Sequence, residues 1–190
     1  MPRIPFITAD TAMSPEQRKV YDAVASGPRG TVQGPLLAAL HRPELADKWQ
    51  QLGEILRYRT SLPARLSEIA ILVTAQCWRC QLEWHLHAGF ALKAGVPQAV
   101  IDDIQAGRRP ITADADALAI YDYATELQNR RVVSEETYRR ALGRWDVVGV
   151  VELTALIGYY TMVAMTLNAH EFPLPAGVEP PFAPLAAQLC

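Results

Sequence analysis

The chain has 190 residues, half of them hydrophobic and a fifth charged, with a net charge of −2. That length supports one domain with a sizeable core, and the near-neutral balance with no basic run excludes a general nucleic-acid-binding surface. Three cysteines, and an opening Met-Pro-Arg-Ile-Pro-Phe without an apolar signal region, point to a reducing cytoplasm and no disulfide framework.

Strand signals are nearly absent, and the elements read as helices from end to end. Residues 1–13, with Pro2 and Pro5, form an irregular arm. Ser14-Pro15-Glu16-Gln17 is an N-cap, a first-turn proline and a capping-box glutamine, which predicts a helix to Ser26. Gly27-Pro28-Arg29-Gly30 breaks it. A short piece from Leu36 to Leu40 leads to His41. Pro43 opens a helix whose apolar positions are Leu45, Trp49, Leu52 and Leu56. Pro63 opens the next, with a stripe of Leu66, Ile69, Ala70 and Val73.

A helix from about Cys80 is capped and stopped by Gly95 and Pro97. Pro97 to Gln105 is a short helix ended by Gly107 and Pro110. Residues 113–129 are an alanine-rich helix, and Ser134 caps another to about Leu142. The last helix, Asp146 to Ala169, is apolar nearly all round, which places it at the centre of a bundle or between subunits. Its uncharged run, Leu153 to Leu167, is short of the ~20 residues a membrane span needs, so no membrane segment is expected. Helical residues 14–170 therefore form the core of a single domain over 1–190. The proline-rich tail, 171–190, is expected to be disordered or draped over a neighbour.

Glu68 to His87 is the stretch that carries chemistry. It packs two acids, two thiols and two imidazoles into an otherwise apolar helical segment, and such groups are costly to bury unpaired. Cys80, Glu83 and His87 fall on one helix face, and Glu83 lies four residues before His87. That spacing allows a hydrogen bond that would set the pKa and tautomer of the imidazole. Glu68 would stand about 28 Å from His87 along an unbroken helix. It reaches His87 within one chain only if the backbone turns near Gln76–Arg79, where no glycine or proline marks a turn. Cys77-Trp78-Arg79-Cys80 is a C-x-x-C, open to a redox dithiol, half a zinc site or two small buried hydrophobes. With His85 and His87, zinc would be crammed into two helical turns, so no metal or other cofactor is expected. His85 reads as a surface residue. Trp84 reads first as core, with a substrate-facing role as the alternative.

Glu68, Ala75, Glu83-Trp84-His85-Leu86-His87 and Lys93-Ala94-Gly95 together resemble the core motif of the carboxymuconolactone decarboxylase family. The resemblance extends to Gly27-Pro28-Arg29-Gly30, to Leu40 through Leu45 and to Thr166-Leu167-Asn168-Ala169, covering roughly residues 20–175. The same superfamily holds alkylhydroperoxidase D-like enzymes, whose dithiol, anchored on Glu68 and His87, would stand at positions 80 and 83. Here those positions are Cys80 and Glu83, so a carboxylate replaces the second thiol, as in the decarboxylase-like branch.

The resemblance implies an all-α alkylhydroperoxidase D-like bundle, assembled as a trimer, hexamer or similar homo-oligomer. It implies an enzyme acting on a small lactone or aromatic-derived carboxylic acid. Decarboxylation leaves a dienolate that must be stabilised and then protonated at carbon. His87 is expected to be the acid or hydrogen-bond donor, with Glu83 setting its pKa and Glu68 behind the pair or relaying a proton. Arg29, Arg57, Arg65 and, as a lesser candidate, His41 are the groups expected to hold a carboxylate substrate. The competing readings are other lactone chemistry on the same His–Glu pair, a thiol peroxidase or disulfide reductase using Cys80 and Cys77, and a non-catalytic oligomer.

Overall fold

The computed structural model describes residues 2–183. Pro184 and Cys190, which belong to the tail and thiol expectations, lie outside the described residues. The elements are α1 (Pro15–Ser26), α2 (Leu36–Ala39), α3 (Pro43–Tyr58), α4 (Ala64–Cys77), α5 (Gln81–Lys93), α6 (Gln98–Gln105), α7 (Ala115–Arg130) and α8 (Glu135–Ala169). There is no strand among the described residues.

The boundaries follow local chemistry. Ser14 accepts from the Gln17 N–H and the Gln17 side chain accepts from the Ser14 N–H, closing the capping box of α1. Gly95 (φ +90°) and Gly107 (φ +71°) take the left-handed conformation just past α5 and α6, where an L side chain is disfavoured. Asp146 interrupts α8 with φ 53°. Its carboxylate accepts from the Val148 N–H at 2.7 Å, so the helix restarts there as at an N-cap.

The core is built around α4. Every residue from Leu66 to Ala75 is buried, because α4 is packed by α5, α6, α7 and α8. By length and composition α8 is apolar enough to cross a membrane, but half of its most apolar stretch is packed inside this fold. It reads as a core helix whose buried face carries Leu153, Leu156, Tyr159 and Tyr160.

Two expectations need correction. The apolar stripe of α3 does not all face inward: Leu45 and Leu52 are 51% and 44% exposed. The buried face is Ala46, Trp49, Gln50, Gly53 and Leu56, a narrow face that brings the backbone of α3 close to α8. The tail, as far as Ala183, lies on its own chain. Phe182 is buried and stands edge-on to Trp84. Gln81 donates to the Phe182 carbonyl (2.8 Å) and accepts from its N–H (3.0 Å).

Candidate active site

The backbone does turn between α4 and α5, at Trp78 to Cys80. Arg79 adopts φ 47°, a left-handed conformation unusual for a non-glycine residue. The turn is held by partners from afar. The Asn168 amide donates to the Trp78 carbonyl (2.9 Å), and the Arg79 guanidinium donates to the Ala183 carbonyl (2.9 Å). With α4 and α5 thus folded antiparallel, Glu68 returns to His87. Their side chains, 19 positions apart, meet at 2.7 Å between Oε2 and Nδ1.

Both groups of this pair are buried. Burial pulls the His87 imidazole below its ordinary 6.5; Glu68 opposes this, and Arg57 and Arg29 reinforce it. The ring is therefore neutral near pH 7, with its proton assigned to Nδ1 by the carboxylate that accepts it. Nε2 is left with a free lone pair and has no hydrogen-bond partner among the described residues. Tyr160 and Phe90 stand edge-on to the ring at 4.9 and 5.4 Å between centroids, fixing its plane.

Glu83 does not play the part its spacing suggested. It makes no hydrogen bond to His87, because the Nδ1 proton already belongs to Glu68. Both its carboxyl oxygens are fully buried with no hydrogen-bond partner, and burial raises its pKa well above the usual carboxylate value of 4.5. A carboxyl in that position stays protonated at neutral pH. Native proteins rarely leave such a group unsatisfied, and one that persists calls for a functional account.

Glu83 and His87 line a cavity of about 60 Å³ together with Arg29, Arg57, Tyr159 and Tyr160. It holds roughly two waters. A wider space of about 280 Å³ shares Arg29, Gln33, Leu36 and Arg57 with it and adds Thr31, Tyr58 and Phe90. Both guanidinium groups therefore line both spaces. Neither Arg29 nor Arg57 is paired with a carboxylate among the described residues. Arg29 donates to the Tyr159 hydroxyl at 3.2 Å, its Nε is buried without a partner, and Arg57 lies over the Phe90 ring at 4.6 Å. Two unpaired cations beside a neutral acid and a neutral base suit an anionic ligand.

The other candidates fall elsewhere. Arg65 is taken up by Asp114, the N-cap of α7, and by Asp116. His41 is on the surface, its Nε2 2.8 Å from the Pro5 carbonyl. Trp84 is 3% exposed and packs on Phe182, so it is core and no substrate platform. Cys80 is the N-cap residue of α5 and faces a separate space near Leu167 and Phe172. Cys77 faces a third, lined by Tyr121 and Asn129. Tyr159, Tyr160 and Gln33 were missed. They lie in an apolar helix and a loop whose patterns announce packing, and only the neighbouring tyrosines at 159 and 160 were available as a signal.

The Arg65 correction is testable. Arg65 and Asp114 are each about a third exposed, 33% and 36%, and such pairs contribute up to about 1 kcal/mol. R65A is expected to lower stability in urea melts by no more than that and to leave turnover at the wild-type level. A tenfold fall in turnover would return Arg65 to the site.

The sequence profile of the Carboxymuconolactone decarboxylase family matches residues 43–126. The match takes in Arg57, Glu68, Glu83 and His87, and leaves out Arg29 and the two tyrosines. No curated protein matches the chain in sequence. Among solved structures, the chain is similar to an uncharacterized peroxidase-related protein from Silicibacter sp. TM1040, with TM-score 0.71 and 14% identity over 92% of this chain and 94% of that one. It is also similar to an uncharacterized peroxidase-related protein from Ralstonia eutropha JMP134, described as an alkylhydroperoxidase AhpD core. There the TM-score is 0.74 and the identity 14%, over 92% of this chain and 93% of that one. At such identity the likeness shows the fold, an AhpD-like all-helical bundle.

Proposed function

We propose, for a chain whose residues 43–126 match the Carboxymuconolactone decarboxylase family and whose fold is AhpD-like, an enzyme that transfers a proton at carbon in a small lactone or aromatic-derived carboxylate. The observation that carries this reading is Glu83, a carboxyl buried without a partner, in one cavity with His87 and two arginines. The substrate carboxylate rests on Arg29 and Arg57, with its ring in the wider space and its reacting carbon beside Glu83 and His87. Glu83 is the acid. His87, held by Glu68, is the base at Nε2. Relative to the sequence expectation the acid role passes from His87 to Glu83, and Glu68 takes the positioning role assigned to Glu83.

In decarboxylation, the bond between the ring carbon and the leaving carboxylate breaks. Its electron pair passes through the double bond to the lactone carbonyl oxygen, and carbon dioxide departs. Arg29 and the Tyr159 hydroxyl are the donors placed to stabilise that oxyanion. Glu83 then gives its proton to carbon, and His87 passes it a replacement from solvent through Nε2. The same acid and base serve an isomerisation that starts with proton removal by His87. The deciding experiment is release of carbon dioxide from carboxymuconolactone by the purified protein. Release establishes the decarboxylase; conversion without release indicates isomerisation or hydrolysis of the ring; no conversion sinks this substrate.

Dithiol chemistry is the lesser reading, although both structural neighbours carry a peroxidase-related name. Burial pushes Cys77 up to about 11 and Cys80 up to about 12, whereas the reactive form is the thiolate. In a C190S background, Cys77 and Cys80 are expected to react slowly with a thiol reagent at pH 8, and C77S/C80S to keep wild-type turnover. Fast labelling at Cys80 would reopen the peroxidase reading. We also take the protein to work as a homo-oligomer, since Val147, Val151 and Met165 on α8 are 67%, 61% and 51% exposed, an uncovered apolar face.

A further inference from the structure

Gly53 lies in the middle of α3, on its buried face. Its backbone is not left-handed, so local geometry does not call for glycine, and glycine is the poorest helix former after proline. The reason for it lies in what occupies the space beside it. A Cβ at position 53 would stand 2.1 Å from the Tyr159 hydroxyl oxygen, 2.6 Å from Tyr159 Cζ and 2.2 Å from Arg29 Nη2. These are the two side chains joined by the 3.2 Å hydrogen bond at the cavity. Gly53 is not itself a lining residue; it stands behind them.

We propose that Gly53 is a positioning residue: its missing side chain seats the Arg29 guanidinium and the Tyr159 hydroxyl against α3 and so sets the depth of the anion site. A methyl group there displaces the ends of both side chains, which line the chamber of about 60 Å³. The guanidinium would then occupy room that the ligand's carboxylate needs. Position 53 thereby governs which carboxylates are accepted, with glycine permitting the bulkiest. The consequence for ligand binding rests on the anion-binding reading given above; the seating of Arg29 does not.

The test separates the two. Benzoate binding is measured by calorimetry for the wild type, R29M and G53A. The Arg29 Nε–H signal, assigned by its loss in R29M, is followed by ¹H–¹⁵N NMR. G53A is expected to fold, to shift the Arg29 signal and to bind benzoate at least tenfold more weakly. An unmoved Arg29 signal in folded G53A overturns the proposal. If R29M binds benzoate as the wild type does, the anion reading fails while the NMR shift still decides the role of Gly53. Should G53A not fold, the comparison passes to Y159F against G53A/Y159F, where the hydroxyl nearest the new methyl is gone. Equal Arg29 signals in those two would likewise overturn it.

Discussion

H87N is expected to lower turnover by about 10²- to 10⁴-fold, the usual contribution of a positioned acid or base, while the fold survives. Asparagine is the informative replacement. Its amide nitrogen can stand where Nδ1 stands and still donate to Glu68, so the carboxylate is not left buried and unpaired. What is lost is Nε2, the proposed base. H87A removes both and is expected to cost stability as well, by roughly 1–3 kcal/mol for the orphaned carboxylate. The pH dependence follows the direction of the shift. The folded imidazole titrates below the ordinary 6.5 because of burial, so the unfolded chain binds protons first as the pH falls. Stability is therefore lost as pH drops from 6.5 through the folded value, and H87N should abolish that slope. The acid limb of the activity profile should likewise lie below 6.5. Wild-type turnover in H87N would remove His87 from the reaction.

The second large effect is at Glu83. E83Q keeps the shape of the neutral side chain but carries no acidic proton, and turnover is expected to fall at least 10²-fold. Stability should move the other way. Burial raises the folded pKa above 4.5, so above that pH the folded state holds a proton that the unfolded chain has released. The wild type therefore loses stability as the pH rises from 4.5 towards the folded value, at about 1.36 kcal/mol per pH unit across the window. E83Q has no such linkage. Melting curves of the two proteins should coincide near pH 4.5 and diverge above it, with E83Q the more stable. Each kcal/mol gained reads as about 2–4 °C in a chain of this size. Parallel stability curves across pH 4.5–9 would mean that Glu83 ionises normally, and the acid assignment would fall.

These two residues also show where sequence reasoning ran true and where it failed. The helix boundaries were legible because their signals are local: Ser14 with Gln17, Pro43, Pro63, Gly95 and Gly107 all act within a few residues of themselves. The break at Asp146 was legible for the same reason, as two successive helices. Glu68, Glu83 and His87 stood out because ionisable groups in an apolar stretch are expensive. Which acid met the imidazole was not legible. Spacing favoured Glu83, one helical turn away, but one turn of separation permits a contact without requiring it. The arginines show the same limit. Arg29, Arg57 and Arg65 look alike as sequence, and Arg65 is lost to the site only because Asp114 and Asp116 at the start of α7 reach it first.

An all-helical chain, the order of its helices and the short list of groups able to do chemistry are all legible in the residues alone. Those properties depend on backbone preferences and burial costs that each segment carries with it. Which of these groups meet, and which are drawn off to other partners, depends on tertiary packing. The turn at Trp78–Cys80 has no glycine or proline, and it is held from far along the chain by Asn168, which donates to the Trp78 carbonyl, and by the Ala183 carbonyl, which accepts from Arg79. That turn brings Glu68 to His87, and the packing of α8 and of the loop after α1 against α3 sets Tyr159 and Arg29 beside Gly53. Such contacts lie outside any local pattern, because their energies exist only once distant segments have been packed together.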